Sequence, residues 1–165
     1  SCLEVAKSYG FHKPICPSEY HRTHHSIYPS RVPQASDSPI SEGKLQQQNL
    51  TEDTSGDLAA VFVLGDSMDW GVDMQVMTDA LLGNEQAGAP HIPLYACNAD
   101  IVYTGRHPKP RFTQGAFVHA FKSLFEHYSA MPVEVEFCGK PFPIQYEYAE
   151  ALLKKNAIRS DIPPP

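Results

Sequence analysis

The chain alternates between short apolar runs and amphipathic segments, and this pattern predicts strands and helices in a repeating order. Residues 59–64 and 92–97 are apolar runs of the kind found in fully buried parallel strands. Residues 133–138 alternate apolar and acidic side chains, which predicts a strand at a sheet edge or with one wet face. A helical segment follows each run, and three consecutive strand–helix units predict an α/β fold built on a parallel sheet.

Four segments have apolar residues at the spacing of amphipathic helices. The first spans residues 1–9, the third residues 114–128 and the fourth residues 144–156. The second is capped by Asp66 or Asp69 and ends at Gly83. In the last three, the apolar stripes are expected to face the core. The stripes consist of Trp70, Met74, Met77 and Leu81; of Phe117, Ala120, Phe121, Leu124, Phe125 and Tyr128; and of Tyr148, Ala151 and Leu152.

Polar and proline-containing segments separate these elements. Residues 29–56 are rich in Ser, Gln, Pro and Asp, which predicts a flexible insertion that buries too little surface to order itself. Residues 11–20 are predicted as a loop or short strand, and residues 98–113 as a long polar loop. The histidines at positions 21, 24 and 25 are interpreted as part of a solvated loop, because they lack the helical spacing and carboxylate partner of a metal site.

Composition narrows the classes of function. The 165 residues suit one domain or two small ones, and the net charge of −6 argues against a nucleic-acid partner, which needs clustered Lys and Arg. No apolar run approaches the roughly 20 residues of a membrane span. The four cysteines form no Cys-x-x-Cys pair, and we interpret them as reduced thiols of an intracellular protein.

Polar side chains follow two of the predicted strands. Asn98 and Asp100 come directly after residues 92–97, and Lys140 closes residues 133–138. Ligands of open parallel sheets bind at the carboxyl ends of strands, so these three side chains are expected to face one crevice. Two alternatives stay open: Asn98 and Asp100 forming only an Asx-turn, and Lys140 being an ordinary surface lysine. The carboxylates that follow residues 59–64 are interpreted as helix caps, with a metal-binding loop as the alternative.

Several segments in order resemble one family of hydrolases. They are residues 69–76, residues 92–100, residues 110–117, Gly139-Lys140-Pro141 and residues 146–150. Together they resemble the haloacid dehalogenase (HAD) superfamily, in its NagD-like branch with an α/β cap, and within it the eukaryotic proteins related to the cat eye syndrome critical region hydrolase. The resemblance covers residues 2–10 and most of residues 59–157.

The resemblance implies an architecture and a chemistry. Residues 1–108 would form an α/β cap, residues 110–157 part of a Rossmann-like core, and residues 158–165 a tail. The family uses an aspartate nucleophile that forms an aspartyl-phosphate, and Mg²⁺ held by carboxylates. By resemblance, Lys140 would be the catalytic lysine that steadies the nucleophile and the phosphoryl charge, and Asn98 and Asp100 would lie near a small phosphorylated substrate.

The sequence departs from the family pattern at the catalytic motifs. It contains no Asp-x-Asp-Gly motif, no Ser/Thr phosphate-binding motif ahead of the cap, and no late acidic loop. We therefore expect a fragment of a Mg²⁺-dependent phosphatase that is inactive alone, with the nucleophile and metal ligands supplied by the rest of the protein or by a second chain. The alternative is a non-catalytic binding or assembly subunit. Members of this branch are often mitochondrial, which implies the same location here.

Overall fold

The computed structural model describes residues 2–23, 27–30, 58–83 and 91–160. The helices in these ranges are α1 (Cys2–Ser8), α2 (Pro17–Thr23), α3 (Trp70–Leu82), α4 (Gln114–Ser129) and α5 (Ile144–Ser160). The strands in the same ranges are β1 (Val61–Val63), β2 (Leu94–Ala96), β3 (Val102–Tyr103), β4 (Arg111–Phe112) and β5 (Val135–Phe137). The predicted α/β fold class is confirmed.

In the described part of the chain, the main sheet has three strands in the order β1-β2-β5. Strands β2 and β5 pair in parallel, with Leu94 opposite Val135 and Ala96 opposite Phe137. The amide of Cys97 donates to the carbonyl of Val63 at 3.1 Å, which joins the end of β2 to the end of β1. Because Leu94 and Ala96 are buried, the central strand β2 anchors the sheet in the core.

The chain divides into two compact units, Ser1–Val61 with Ser67–Ile92, and Phe62–Asp66 with Pro93–Pro165. The first holds α1, α2 and α3, and the second holds β2 to β5 with α4 and α5. Strand β2 lies in the predicted cap and β5 in the predicted partial core, yet the two pair in one sheet. The assignment of residues 1–108 and 110–157 to cap and core stays a prediction.

In the first unit, α3 begins where the sequence predicts. Asp69 is its N-cap, and its Oδ1 atom accepts a hydrogen bond from the Val72 amide at 3.2 Å. Met77 and Leu81 of the predicted stripe are buried, together with Val72 and Ala80. Helix α2 packs against α3. Because α2 begins at Pro17, the prediction of a loop or short strand at residues 11–20 is wrong from that residue onward.

The interpretation of the histidine cluster as a solvated loop is wrong for its first member. His21 lies in α2 and is 3% exposed. Pro17 occupies the first position of this helix, where the missing amide hydrogen costs nothing and the fixed φ angle suits a helix. His24, His25 and most of the predicted flexible insertion lie outside the described residues.

In the second unit, α4 presents a narrower apolar stripe than predicted. Phe117, Phe121 and Phe125 are buried, whereas Leu124 and Tyr128 are 52% and 70% exposed. Near its end, Glu126 contacts Lys122 at 2.6 Å and accepts from the Val133 amide at 3.2 Å. These contacts fix the chain as it leaves α4 and enters β5.

Three further predictions for this unit are corrected. Strand β1 is not fully buried: it lies at a sheet edge, and Phe62 and Leu64 are exposed while Val63 is buried. Helix α5 extends to Ser160, and the three residues expected inside, Tyr148, Ala151 and Leu152, are all exposed. The predicted loop at residues 98–113 contains the antiparallel pair β3–β4. Among the described helices, none is long and apolar enough to cross a membrane.

Candidate functional site

The carboxyl ends of β2 and β5 lie against each other. The amide of Cys138 donates to the carbonyl of Ala96 at 2.9 Å, which continues the parallel pairing beyond the strands. At the next position, a Cβ atom on Gly139 would overlap the carbonyl oxygen of Cys97. Asn98 and Lys140 directly follow these two contacting residues. The structure therefore brings two of the predicted site residues to neighbouring points on one edge of the sheet.

Asn98 and Asp100 form a tight local turn. The Oδ1 atom of Asn98 accepts a hydrogen bond from the Asp100 amide at 2.9 Å, which is the geometry of an Asx-turn. The turn uses the side-chain oxygen of Asn98 and leaves the amide nitrogen as a donor. Asp100 and Lys140 are exposed at this edge. The Asx-turn alternative is thus realised, and it leaves donors, a carboxylate and an ammonium group available to a ligand.

The start of α4 is clamped to this turn. The amide of Gly115 donates to the carbonyl of Asp100 at 2.9 Å, and the amide of Thr113 donates to the carbonyl of Ile101 at 3.1 Å. A Cβ atom at position 115 would overlap the carbonyl oxygens of Ala99 and Asp100. Glycine is therefore the residue that lets the helix approach so closely. The result is that residues 98–101 are fixed by backbone contacts on the α4 side.

Two side chains of α4's first turn connect the helix to the strand ends. Thr113 is the N-cap residue and makes no side-chain cap, and its hydroxyl donates to Asp66 Oδ1 at 2.8 Å. Gln114 is 2% exposed, and its Oε1 atom accepts from the thiol of Cys97 at 3.3 Å. Asp66 follows β1, so all three strands of the sheet contribute a polar residue to this edge.

The sequence analysis missed Thr113 and Gln114 as members of the site. The signal available was weak, because a threonine before an amphipathic run indicates only an N-cap. The contact with Asp66 joins residues 47 positions apart in the chain, and spacing carries no information about it. The sequence interpretation of the carboxylates after β1 holds for Asp69, which caps α3, whereas Asp66 contacts Thr113.

The groups at this edge are mixed in charge, because the carboxylates of Asp66 and Asp100 share it with the ammonium group of Lys140. Lys140 supplies a positive charge, and the Asn98 amide supplies a hydrogen-bond donor. In the described part of the chain, no group of three or more His, Cys, Asp and Glu side chains is placed to hold a metal ion. The described residues at this edge therefore do not fit a magnesium site.

Comparison with known proteins identifies relatives over most of the chain. No protein-family model matches the sequence. The mitochondrial hydrolase YKR070W of Saccharomyces cerevisiae is 29% identical over 158 residues, which cover 90% of this chain and 44% of that protein. A cardiolipin synthase (CMP-forming) / mitochondrial hydrolase fusion protein of Schizosaccharomyces pombe is 30% identical over 111 residues, which cover 63% of this chain and 19% of that protein. The chain thus spans less than half the length of either relative, and it is similar to proteins whose names call them hydrolases.

Proposed function

We propose that this chain is part of a mitochondrial hydrolase of phosphate esters and that it carries the phosphate-recognition groups of that enzyme. Both relatives bear the words mitochondrial hydrolase in their names. The motif resemblance to the HAD superfamily adds phosphate esters as the substrate class. The observation that carries the proposal is the direct contact between Cys97 and Gly139. These two residues immediately precede Asn98 and Lys140.

Each side chain has a role that follows from its chemistry. The ammonium group of Lys140 neutralises the charge of a phosphoryl oxygen, and this stabilisation grows as water leaves the site. The side-chain amide of Asn98 donates a hydrogen bond to a second oxygen of the phosphate ester. The carboxylate of Asp100 accepts a hydrogen bond from a substrate hydroxyl. Backbone contacts with α4 and β5 hold these groups in place, which reduces the entropy lost on binding.

The attacking group is proposed to come from outside this sequence. The 165 residues contain no Asp-x-Asp-Gly motif, and in this superfamily that motif supplies both the nucleophile and magnesium ligands. A lysine and an amide bind a phosphate ester but do not form an aspartyl-phosphate. The enzyme would therefore be completed by a further segment of the same protein or by a second chain, which would also hold Mg²⁺.

The test combines turnover with binding. We expect this chain to show no hydrolysis of p-nitrophenyl phosphate with or without Mg²⁺, and to bind the same ester in equilibrium dialysis. Lys140→Met is expected to weaken that binding at least about tenfold, because one charge-assisted contact is lost. Lys155→Met, at an exposed position on α5, is the matched control and should bind like the wild type.

Two results would overturn parts of this proposal. Turnover that Lys140→Ala abolishes would show that the nucleophile lies within these residues after all. If the chain does not bind the ester, or if Lys140→Met leaves that binding unchanged, the phosphate-recognition role is removed. The alternative of a non-catalytic binding or assembly subunit would then be favoured.

A further inference from the structure

The β3–β4 hairpin is a continuously exposed segment of the second unit. Every residue from Ile101 to Phe112 is exposed. Four of these residues are large and apolar, with exposed fractions of 46% for Ile101, 47% for Val102, 51% for Tyr103 and 71% for Phe112. Apolar groups clustered on so short a segment mark an interaction surface more often than single exposed residues do.

The strand pairing sorts these side chains onto two faces. Val102 is opposite Phe112, and Tyr103 is opposite Arg111. Directly opposed residues of an antiparallel pair lie on the same face of the ribbon. One face therefore carries an aliphatic and an aromatic side chain, and the other face carries an aromatic side chain beside a guanidinium group.

The connection between the two strands is basic. Arg106 and Lys109 lie in it and Arg111 follows, while residues 101–125 contain no Asp or Glu. This is a local excess of positive charge in a chain whose formal net charge is −6. The tip is held in shape by a hydrogen bond that the Lys109 amide donates to His107 Nδ1 at 3.1 Å.

The base of the hairpin is fixed at the candidate site. The carbonyl of Ile101 accepts a hydrogen bond from the Thr113 amide at 3.1 Å, and the carbonyl of Asp100 accepts one from the Gly115 amide at 2.9 Å. Both ends of the hairpin are therefore held at the start of α4. The hairpin therefore projects from the same edge that carries Asn98 and Asp100. Whatever binds the hairpin is brought next to that edge.

We propose that the β3–β4 hairpin docks on an anionic phospholipid surface. Arginine and lysine side chains bind lipid phosphates, and the adjacent aliphatic and aromatic side chains enter the boundary between headgroups and acyl chains. A nucleic acid would use the cations and the aromatic rings but gains little from exposed Ile101 and Val102. The rest of the chain carries a net negative charge, so we assign the attraction to an anionic surface to this hairpin.

The proposal does not depend on hydrolase activity, and vesicle sedimentation tests it with the full chain. The chain is expected to sediment with phosphatidylcholine vesicles that contain about a third phosphatidylglycerol, and not with vesicles of phosphatidylcholine alone. Raising the ionic strength should weaken the binding. Reversal of the three hairpin cations, Arg106→Glu, Lys109→Glu and Arg111→Glu, should lower the vesicle affinity at least about tenfold.

A matched variant separates a hairpin effect from an effect of net charge. Lys7→Glu, Lys13→Glu and Lys155→Glu reverse three exposed lysines elsewhere and change the net charge by the same amount. This control should keep most of its vesicle binding. A third variant, Val102→Ser with Phe112→Ser, should bind more weakly while its salt dependence is unchanged. Far-ultraviolet circular dichroism would establish that each variant is folded.

The opposite outcomes are equally clear. Equal loss in the hairpin variant and the lysine control, or equal sedimentation with charged and uncharged vesicles, would overturn the proposal. Hairpin-dependent binding of a uridine homopolymer without binding to anionic vesicles would also overturn it, and would point to RNA instead.

Discussion

Gly139 lies against the carbonyl group of Cys97, with no room for a Cβ atom between them. This contact continues the β2–β5 pairing past the ends of both strands and sets the separation of their carboxyl ends. Asn98 and Lys140 are the next residues on the two chains. The site proposed here depends on that backbone contact more than on any side-chain interaction.

The first prediction concerns this glycine. Gly139→Ala should lower the free energy of unfolding by about 1–3 kcal/mol, because the new methyl group meets a backbone carbonyl that cannot rotate away. The control is Gly65→Ala, where a Cβ atom would have no neighbour within 4 Å. That variant should be neutral or slightly stabilised, since alanine has less conformational freedom in the unfolded chain. Chemical denaturation measures both, and equal stabilities would contradict the close contact.

The second prediction compares two helix glycines, one whose added methyl group would meet backbone atoms and one whose added methyl group would meet a side chain. A Cβ atom at Gly115 would meet the carbonyl oxygens of Ala99 and Asp100, whereas one at Gly71 would meet the ring of Tyr28. Gly115→Ala should therefore destabilise the protein by about 1–3 kcal/mol. Gly71→Ala should cost less, because a tyrosine ring can move and alanine favours a helix by about 1 kcal/mol. The reverse order in denaturation experiments would contradict this account of α4.

The third prediction tests the contact that ties β1 to α4. Thr113→Val removes the hydroxyl that donates to Asp66 Oδ1 and should cost about 0.5–1.5 kcal/mol. A double-mutant cycle with Asp66→Ala should give a coupling free energy of similar size. Additive effects of the two substitutions would mean that the contact contributes nothing to stability.

The fourth prediction is a pH dependence at Asp73. Burial raises the pKa of this carboxyl above its usual value; the Ser67 hydroxyl acts in the opposite direction, and the nearby charge of Asp69 adds to the rise. The folded state then binds its proton more tightly than the unfolded state does, so this group's contribution to stability falls as pH rises through its folded pKa. Asp73→Asn should therefore gain stability relative to the wild type between about pH 3 and pH 7.

A variant with the opposite sign serves as the control for Asp73. The hydrogen bond from Lys154 lowers the pKa of Glu150, so the contribution of Glu150 to stability is lost as pH falls through its folded pKa. Glu150→Gln should accordingly lose stability relative to the wild type over the same rise in pH. Identical pH profiles for the two variants would contradict the assignment at Asp73.

The sequence predicts elements well where one periodic signal dominates. In α4, phenylalanines at every fourth position predict a buried stripe, and the three of them are buried. The prediction fails at Leu124 and Tyr128, because periodicity shows which side of a helix is apolar but not how wide a strip its neighbours cover. For α5 the apolar residues are spread around the helix, and Tyr148 and Leu152 are exposed.

Short elements and long-range contacts are harder to predict. Strands β3 and β4 have two residues each, too few to show an alternating pattern. They pair with each other across the connection formed by residues 104–110. The placement of Lys140 near Asn98 was predictable from the rule that parallel strands share a carboxyl edge. The contributions of Thr113 and Gln114 were not, because they depend on how α4 packs against that edge.

The most direct test of the central claim is the site at which phosphate binds. Inorganic phosphate would be titrated into isotopically labelled protein while amide proton–nitrogen NMR spectra are recorded. The account predicts shifts concentrated at the amides of residues 98–100 and 139–140, lost in Lys140→Met and kept in Lys155→Met. Shifts confined to residues elsewhere in the chain, or unchanged by Lys140→Met, would contradict a phosphate site at the shared edge of β2 and β5.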